Sequence, residues 1–233
     1  MTAQGTAAVS LSIDCGCDPE IATLRDPWWK RSLDVVVAAS LLTISAPVWL
    51  AAAALIKLDS RGPALYVQQA IGRGGRPFRF YKFRTMRQGN DDSGHRRYLR
   101  AFVQGEPPAS DDGGETVFKM KADPRLTRVG KLLRKLSLDE LPQLLNVIKG
   151  DMILVGPRPP LPYEYELYDR WAKGRLTVRP GITGLYQITR RSQAPFREMV
   201  ELDLGYIRNR SLWLDLSIIL WTPAAMLLGK GAY

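Results

Sequence analysis

The chain has 233 residues, with 33 Lys and Arg against 23 Asp and Glu and a formal net charge of +10. That length holds one domain with a real core plus an appendage. The basic surplus points to a polyanionic partner: nucleic acid, an anionic membrane surface or phosphorylated substrates. One histidine, His95, and two cysteines, Cys15 and Cys17, are too few for a disulfide framework, a histidine-built triad or a zinc centre. Chemistry therefore falls to carboxylates and cations.

Residues 1–27 are small and polar without sustained periodicity, and they lack the basic start and apolar run of a signal peptide. They read as an irregular tail carrying two free thiols. Trp28-Trp29-Lys30-Arg31 follows, then a 22-residue uncharged run from Val35 to Ile56, when a bilayer core needs about 20. Two features speak against a plain span. Ser45-Ala46-Pro47 falls at mid-run, where proline removes a donor and kinks a helix. Both flanks are basic, Lys30 and Arg31 before and Lys57 and Arg61 after, whereas a span leaves its Lys and Arg mainly on one side. A helix that breaks at Ser45 and Pro47 and returns to the same face meets both observations, with the Ser45 hydroxyl satisfying freed backbone groups. The residues leave these two readings level.

Alternation in 64–67 and 78–83 around the Gly-rich turn 72–77 predicts a β-hairpin, on which Lys82 and Arg84 make either a solvated edge or a phosphate-facing strand. That turn lacks the helix a P-loop needs. Residues 88–115 are polar and rich in Gly, Pro and Asp, which predicts a long loop with a helical turn or two at 96–100.

The centre of the argument is 123–160. Thr127 is placed to cap a helix whose apolar face carries Val129, Leu132, Leu133 and Leu136. Ser137 or Asp139 then opens the next helix; Ser137 and Glu140 have capping-box spacing, Pro142 fits a first turn, and Gly150 stops the helix. Asp139 at a helix start would be held ionised by the dipole, by about 0.3–1 kcal/mol, which suits a nucleophile. Successive helical residues are ~100° apart, so Asp139 and Glu140 point differently and take different roles. Residues 152–155 read as a short strand, and Gly156-Pro157-Arg158-Pro159-Pro160 as a rigid turn presenting one guanidinium, a fork that matches phosphate.

Residues 163–173 read as one helix, 179–184 as a second Gly/Pro turn bearing Arg179, and 195–209 as another helix. The uncharged part of the last apolar stretch, 216–228, is 13 residues, too short to span; an interfacial helix with Trp at headgroup depth fits better.

Taken together these residues resemble the bacterial sugar transferase family, the monotopic phosphoglycosyl transferases. The resemblance rests on Lys30-Arg31-x-x-Asp34, the run broken at Ser45 and Pro47, Tyr81-Lys82-Phe83-Arg84-Thr85-Met86 and Asp123-Pro124-Arg125. It continues through the stretch from Leu136 to Gln143, Gly150-Asp151-Met152, Val155-Gly156-Pro157-Arg158-Pro159, the stretch from Arg179 to Gly184, Glu201-Leu202-Asp203 and Gly231-Ala232-Tyr233. It covers Trp28 to Tyr233.

The resemblance implies a mostly helical α+β fold: a re-entrant membrane hairpin at 28–58, then a cytoplasmic catalytic domain at 59–233 with a small β-hairpin and interfacial amphipathic helices. It implies a hexose-1-phosphate transferase of exopolysaccharide assembly, monotopic on the cytoplasmic face of the bacterial inner membrane, among inner-membrane lipids. A UDP-hexose is the implied donor and undecaprenyl phosphate the acceptor, with glucose or galactose favoured by the short Gly-Ala-Tyr form; a homodimer is permitted. Asp139 would attack the β-phosphate, releasing UMP from an aspartyl-phosphosugar. Glu140 would hold Mg²⁺ or activate an oxygen, with Asp203 a second metal ligand. Arg134, Arg158, Lys82, Arg84 and Arg179 would bind phosphates. Tyr186, in place of a frequent Trp, and Arg190-Arg191, in place of Gly-Arg, are departures that bear on the donor. The alternative is a membrane-anchored basic protein binding anionic lipid or nucleic acid, which leaves the acid pair and the Arg-bearing turns unexplained; nucleic acid is not expected as a partner.

Overall fold

A computed structural model describes residues 21–87, 93–105, 125–189 and 194–228. The thiols at 15 and 17, most of the tail, the long loop on either side of 93–105, Asp123, Pro124, Arg190, Arg191 and Gly231-Ala232-Tyr233 lie outside them.

The described chain is mostly helical with two small sheets, an α+β composition. Helix α1 (Trp28–Ile44) and helix α2 (Ala46–Asp59) meet at a 60° bend. Pro47 lies in the first turn of α2, where the missing N–H has no helical partner to lose. The Ser45 hydroxyl donates to the Leu41 carbonyl at 2.6 Å, so the break is satisfied as the sequence predicts. Among the described residues no single helix is long and apolar enough to cross a membrane; the bent pair is, taken together.

Strands β1 (Leu65–Ile71) and β2 (Pro77–Phe83) form the expected antiparallel hairpin, paired from Leu65–Phe83 to Ile71–Pro77. Helix α3 (Ser93–Gln104) is longer than the turn or two expected. Its Phe102 packs edge-on to Phe196 at 5.8 Å. Helix α4 (Arg128–Lys135) is capped by Thr127, whose hydroxyl accepts from Gly130 N at 2.9 Å. A Cβ on Gly130 would stand 2.0 Å from the Thr85 carbonyl oxygen, so α4 lies directly on the chain leaving β2.

Helix α5 (Gln143–Lys149) stops at Gly150, whose φ of 91° is the left-handed geometry glycine favours. Strand β3 (Ile153–Val155) pairs in parallel with β4 (Gly181–Thr183). The single helix expected at 163–173 is two: α6 (Pro162–Tyr165) and α7 (Arg170–Lys173). The Asp169 carboxylate accepts from Ala172 N at 2.7 Å, opening a new helix where the reading continued an old one. Helices α8 (Leu185–Thr189), α9 (Phe196–Arg208) and α10 (Leu212–Leu228) complete the chain.

Three charged residues fasten α1 to the body. Arg31 donates to the Val147 and Ile148 carbonyls at 2.6 and 2.8 Å, closing the end of α5. Asp34 accepts from Leu154 N at 3.1 Å. Lys30, fully buried, reaches the Val155 carbonyl, Tyr206 Oη and Asp215. The core between α1, α5, β3 and α10 holds Ala38, Val147, Met152, Val155, Tyr206 and Ile218. The face of α2 that packs inward meets α4 through Ala52, Ile56, Phe83 and Leu133.

Candidate active site

Strand β2 is the platform. Asn146, fully buried on α5, accepts from Tyr81 N at 3.2 Å and donates to the Arg79 carbonyl. This staple sets the chain that opens α5 against β2, and with it the acid pair against Lys82. Lys82 sits over the Phe80 ring, 5.0 Å from its centroid, and its Nζ is 3.8 Å from Glu140 Oε1. From the last turn of α4, Arg134 donates through Nε to Thr85 Oγ1 at 3.1 Å.

The acid pair is not at an α-helix start. Ser137 takes φ +53°, the one left-handed non-glycine among the described residues. Such a conformation costs about 1–3 kcal/mol, and it reverses the chain into a 3₁₀ turn over Leu138–Glu140. The expected Ser137–Glu140 capping box does not form. Asp139 is buried while Glu140 stays part-exposed. Burial and then the Glu140 charge push the Asp139 carboxyl above the usual range, with Lys82 and Arg134 pulling it back. The expected dipole assistance is thus replaced by two cations. Burial also lowers Lys82, partly offset by Glu140.

Arg158 is exposed on its proline-bounded turn. That turn is held from below: a Cβ on Gly181 would stand 2.1 Å from Gly156 N, so β4 crosses it closely, and Arg175 donates to the Arg158 carbonyl at 3.3 Å. The Arg158 charge acts on Lys82, Tyr98 and Tyr186. Lys82, Arg134, Asp139 and Glu140 therefore form one group, with Arg158 linked to it through its charge on Lys82.

Three expected members are elsewhere. Arg84, buried, donates to the Arg61 and Ser60 carbonyls at 2.7 and 2.8 Å and ties down the end of α2. Arg179 is 3.5 Å from Asp26. Asp203 is buried on Arg175 Nε at 2.7 Å; the charge acting on it is that of Arg175, with no contribution from the acid pair. It is not beside Glu140. Among the described residues no group of three or more His, Cys, Asp or Glu stands ready for a metal. Glu140 offers one accessible carboxylate, which fits a magnesium ion that takes its other oxygens from water and substrate phosphates.

Sequence reasoning missed Asn146, Thr85 and Arg175, which position the site. Thr85 sits within a quoted motif; Arg175 carries no local signal, because its partner Asp203 is 28 residues away.

Comparison with known proteins gives a consistent result. A family profile described as bacterial sugar transferase matches residues 25–229. Exopolysaccharide production protein ExoY of Sinorhizobium fredii is 43% identical over 204 residues, covering 88% of this chain and 88% of the relative. Galactosyl transferase CpsE of Streptococcus agalactiae is 45% identical over 204 residues, 87% of this chain but 43% of the relative. The UDP-glucose:undecaprenyl-phosphate glucose-1-phosphate transferase of Caulobacter vibrioides is 41% identical over 238 residues, 95% of this chain and 81% of the relative.

Proposed function

The chain belongs to the bacterial sugar transferase family, and from that premise we propose that it moves a hexose-1-phosphate from a UDP-hexose to undecaprenyl phosphate. The observation that carries this reading is the convergence of Lys82 and Arg134 on the Asp139–Glu140 turn, with the Arg158 charge acting on Lys82. A carboxylate nucleophile that approaches a diphosphate meets like charge, and fixed cations placed around the transferring phosphoryl group are what such a step requires.

Asp139 attacks the β-phosphorus through a carboxylate oxygen. The bond from that phosphorus to the bridging oxygen breaks, and UMP leaves with the bridging oxygen and its electron pair. The aspartyl-phosphosugar is then attacked by a phosphate oxygen of undecaprenyl phosphate, and Asp139 departs again as a carboxylate. Lys82 and Arg134 serve twice, drawing Asp139 toward its ionised form and binding phosphate oxygens, while Arg158, exposed on the rigid turn, offers its guanidinium to the donor phosphates. Glu140 would hold a magnesium ion, which when bound would supply charge neutralisation at the phosphates.

The lipid acceptor requires a site at the bilayer face. Supporting this are the two basic flanks of the bent α1–α2 pair, its 60° break and the exposed apolar side chains Ile44, Leu50 and Leu58. In this reading residues 28–58 enter and leave the cytoplasmic face of the inner membrane, residues 59–233 form the catalytic unit, and α10 lies at the interface. Exopolysaccharide or glycoconjugate assembly is the process served. Relatives are named for galactose, for glucose and for N-acetylgalactosamine, and glucose or galactose is the sugar favoured in this reading.

The test is nucleotide release by the purified, detergent-solubilised chain with Mg²⁺, a panel of UDP-sugars and undecaprenyl phosphate. UMP is expected from one donor, and Asp139→Asn should lower its release by roughly 10³-fold or more, the scale of losing a covalent nucleophile. Release of UDP instead would mean ordinary glycosyl transfer and would sink the covalent route.

A further inference from the structure

The segment before α1 carries Asp26, a nearly buried carboxylate reached by three arginines from distant parts of the chain. Arg210 Nη1 is 3.2 Å from Oδ1; Arg179 Nε and Arg73 Nη1 are 3.5 and 3.8 Å from Oδ2. Three guanidiniums against one carboxylate leave a surplus of two positive charges. All three side chains keep access to solvent, at 31% for Arg73, 24% for Arg179 and 15% for Arg210. A purely structural tie would need only one of them.

The position of this surplus is set by the helices that start from it. Asp26 stands two residues before α1 and Arg210 two residues before α10. Each apolar helix opens on an exposed tryptophan, Trp28 at 82% and Trp213 at 79%. The first turn of α1 carries no acid, and the acid of α10, Asp215, is neutralised in the core by Lys30, so both positive helix ends reinforce the arginines. Tryptophan at the entry of an apolar helix belongs at headgroup depth.

We propose that Arg73, Arg179 and Arg210 form a site for the phosphate of an anionic phospholipid headgroup, at the place where both apolar helices begin. The inference rests on the reading that α1 and α2 enter the membrane. It concerns a different set of charges from the Asp139 group, because the three arginines pair with Asp26.

The experiment places the full chain in mixed micelles containing brominated phosphatidylglycerol or brominated phosphatidylcholine and reads tryptophan quenching against lipid fraction. Phosphatidylglycerol should quench at a several-fold lower fraction. Arg73→Gln, which removes the longest of the three ion pairs, should weaken that preference roughly fivefold, the effect of one basic residue at a lipid surface, with melting temperature and UMP release unchanged. Equal quenching by the two lipids would overturn the site, as would an equal loss in Lys57→Gln, which would reveal a general charge effect. Inorganic phosphate binding at the arginines without any lipid preference would assign the site to a soluble anion and overturn the lipid reading. Quenching by neither lipid would overturn the membrane reading itself, an outcome separate from any result of the nucleotide assay.

Discussion

Lys30 with Asp215, and Arg175 with Asp203, are buried about as completely as any side chains in the described chain, and each of these charges is answered. Lys30 faces a carbonyl, a hydroxyl and a carboxylate. Asp215 takes Lys30 on one oxygen and Tyr206 Oη at 2.7 Å on the other. Arg175 spends Nε on Asp203, Nη1 on Tyr168 Oη and Nη2 on the Arg158 carbonyl. Asp139 is treated differently. Its carboxylate is buried with Lys82 and Arg134 nearby and a second acid beside it, and its own backbone N–H is the smallest of these influences. Satisfied charge holds geometry; a carboxylate buried beside a second acid is kept for chemistry, at a cost in stability that the rest of the fold carries.

The comparison breaks most visibly at Lys30. Lys30→Met leaves Asp215 buried with Tyr206 as its remaining partner, and removing one member of a buried pair costs about 3–5 kcal/mol. Chemical denaturation should show a loss on that scale, and adding Asp215→Leu should recover most of it. If the single variant were as stable as the parent, the satisfied group would not be structural.

Lys82 gives the next largest effect, and it acts on rate rather than stability. Lys82→Met removes a charge that stabilises developing negative charge, worth roughly 10²–10³ in rate. It also removes a cation that pulls Asp139 back toward the ordinary carboxylate range, so the acid limb of the pH profile for UMP release should move to higher pH. Glu140→Gln removes a neighbouring negative charge and should move the same limb to lower pH. Opposite shifts from two substitutions on one turn would identify Asp139 as the titrating group.

The parts of this arrangement that were legible in the sequence are those specified locally. Thr127 and Gly150 cap their helices by their own chemistry, the hairpin follows from alternation and a glycine turn, and Asp139, Glu140 and Arg134 lie within seven residues of one another. What was not legible depends on partners far along the chain. Lys30 reads as a membrane anchor until Asp215, 185 residues on, is seen to receive it. Arg84 shares strand parity with Lys82, but β2 ends at Phe83, so Arg84 turns away to the end of α2. Asp203 reads as a free ligand because nothing near it in sequence reveals Arg175. The left-handed Ser137, which replaces an expected helix start by a 3₁₀ turn, has no residue signature at all, since glycine or asparagine is the usual sign of that geometry.

The smallest predicted effect is also the most direct measure of the difference between the two groups. A carboxyl raised above its unfolded-state value costs the folded protein stability wherever it is ionised. That cost is present in full above the raised folded value and is gone below the ordinary Asp value of 3.8. Asp139→Asn removes the charge while keeping the shape, so it should raise the melting temperature at neutral pH while abolishing UMP release. For a chain of this length each ~1 kcal/mol relieved is worth about 2–4 °C. The gain should shrink as the pH is lowered, because the parent protonates Asp139 and sheds the same cost. Asp215→Asn should behave oppositely, losing stability at neutral pH because Lys30 is then left without its counter-charge. Melting curves of the two variants across the same pH range therefore separate a carboxylate kept for reaction from one kept for architecture, and a common sign for both would mean that the distinction drawn from their surroundings is not the one that governs their energetics.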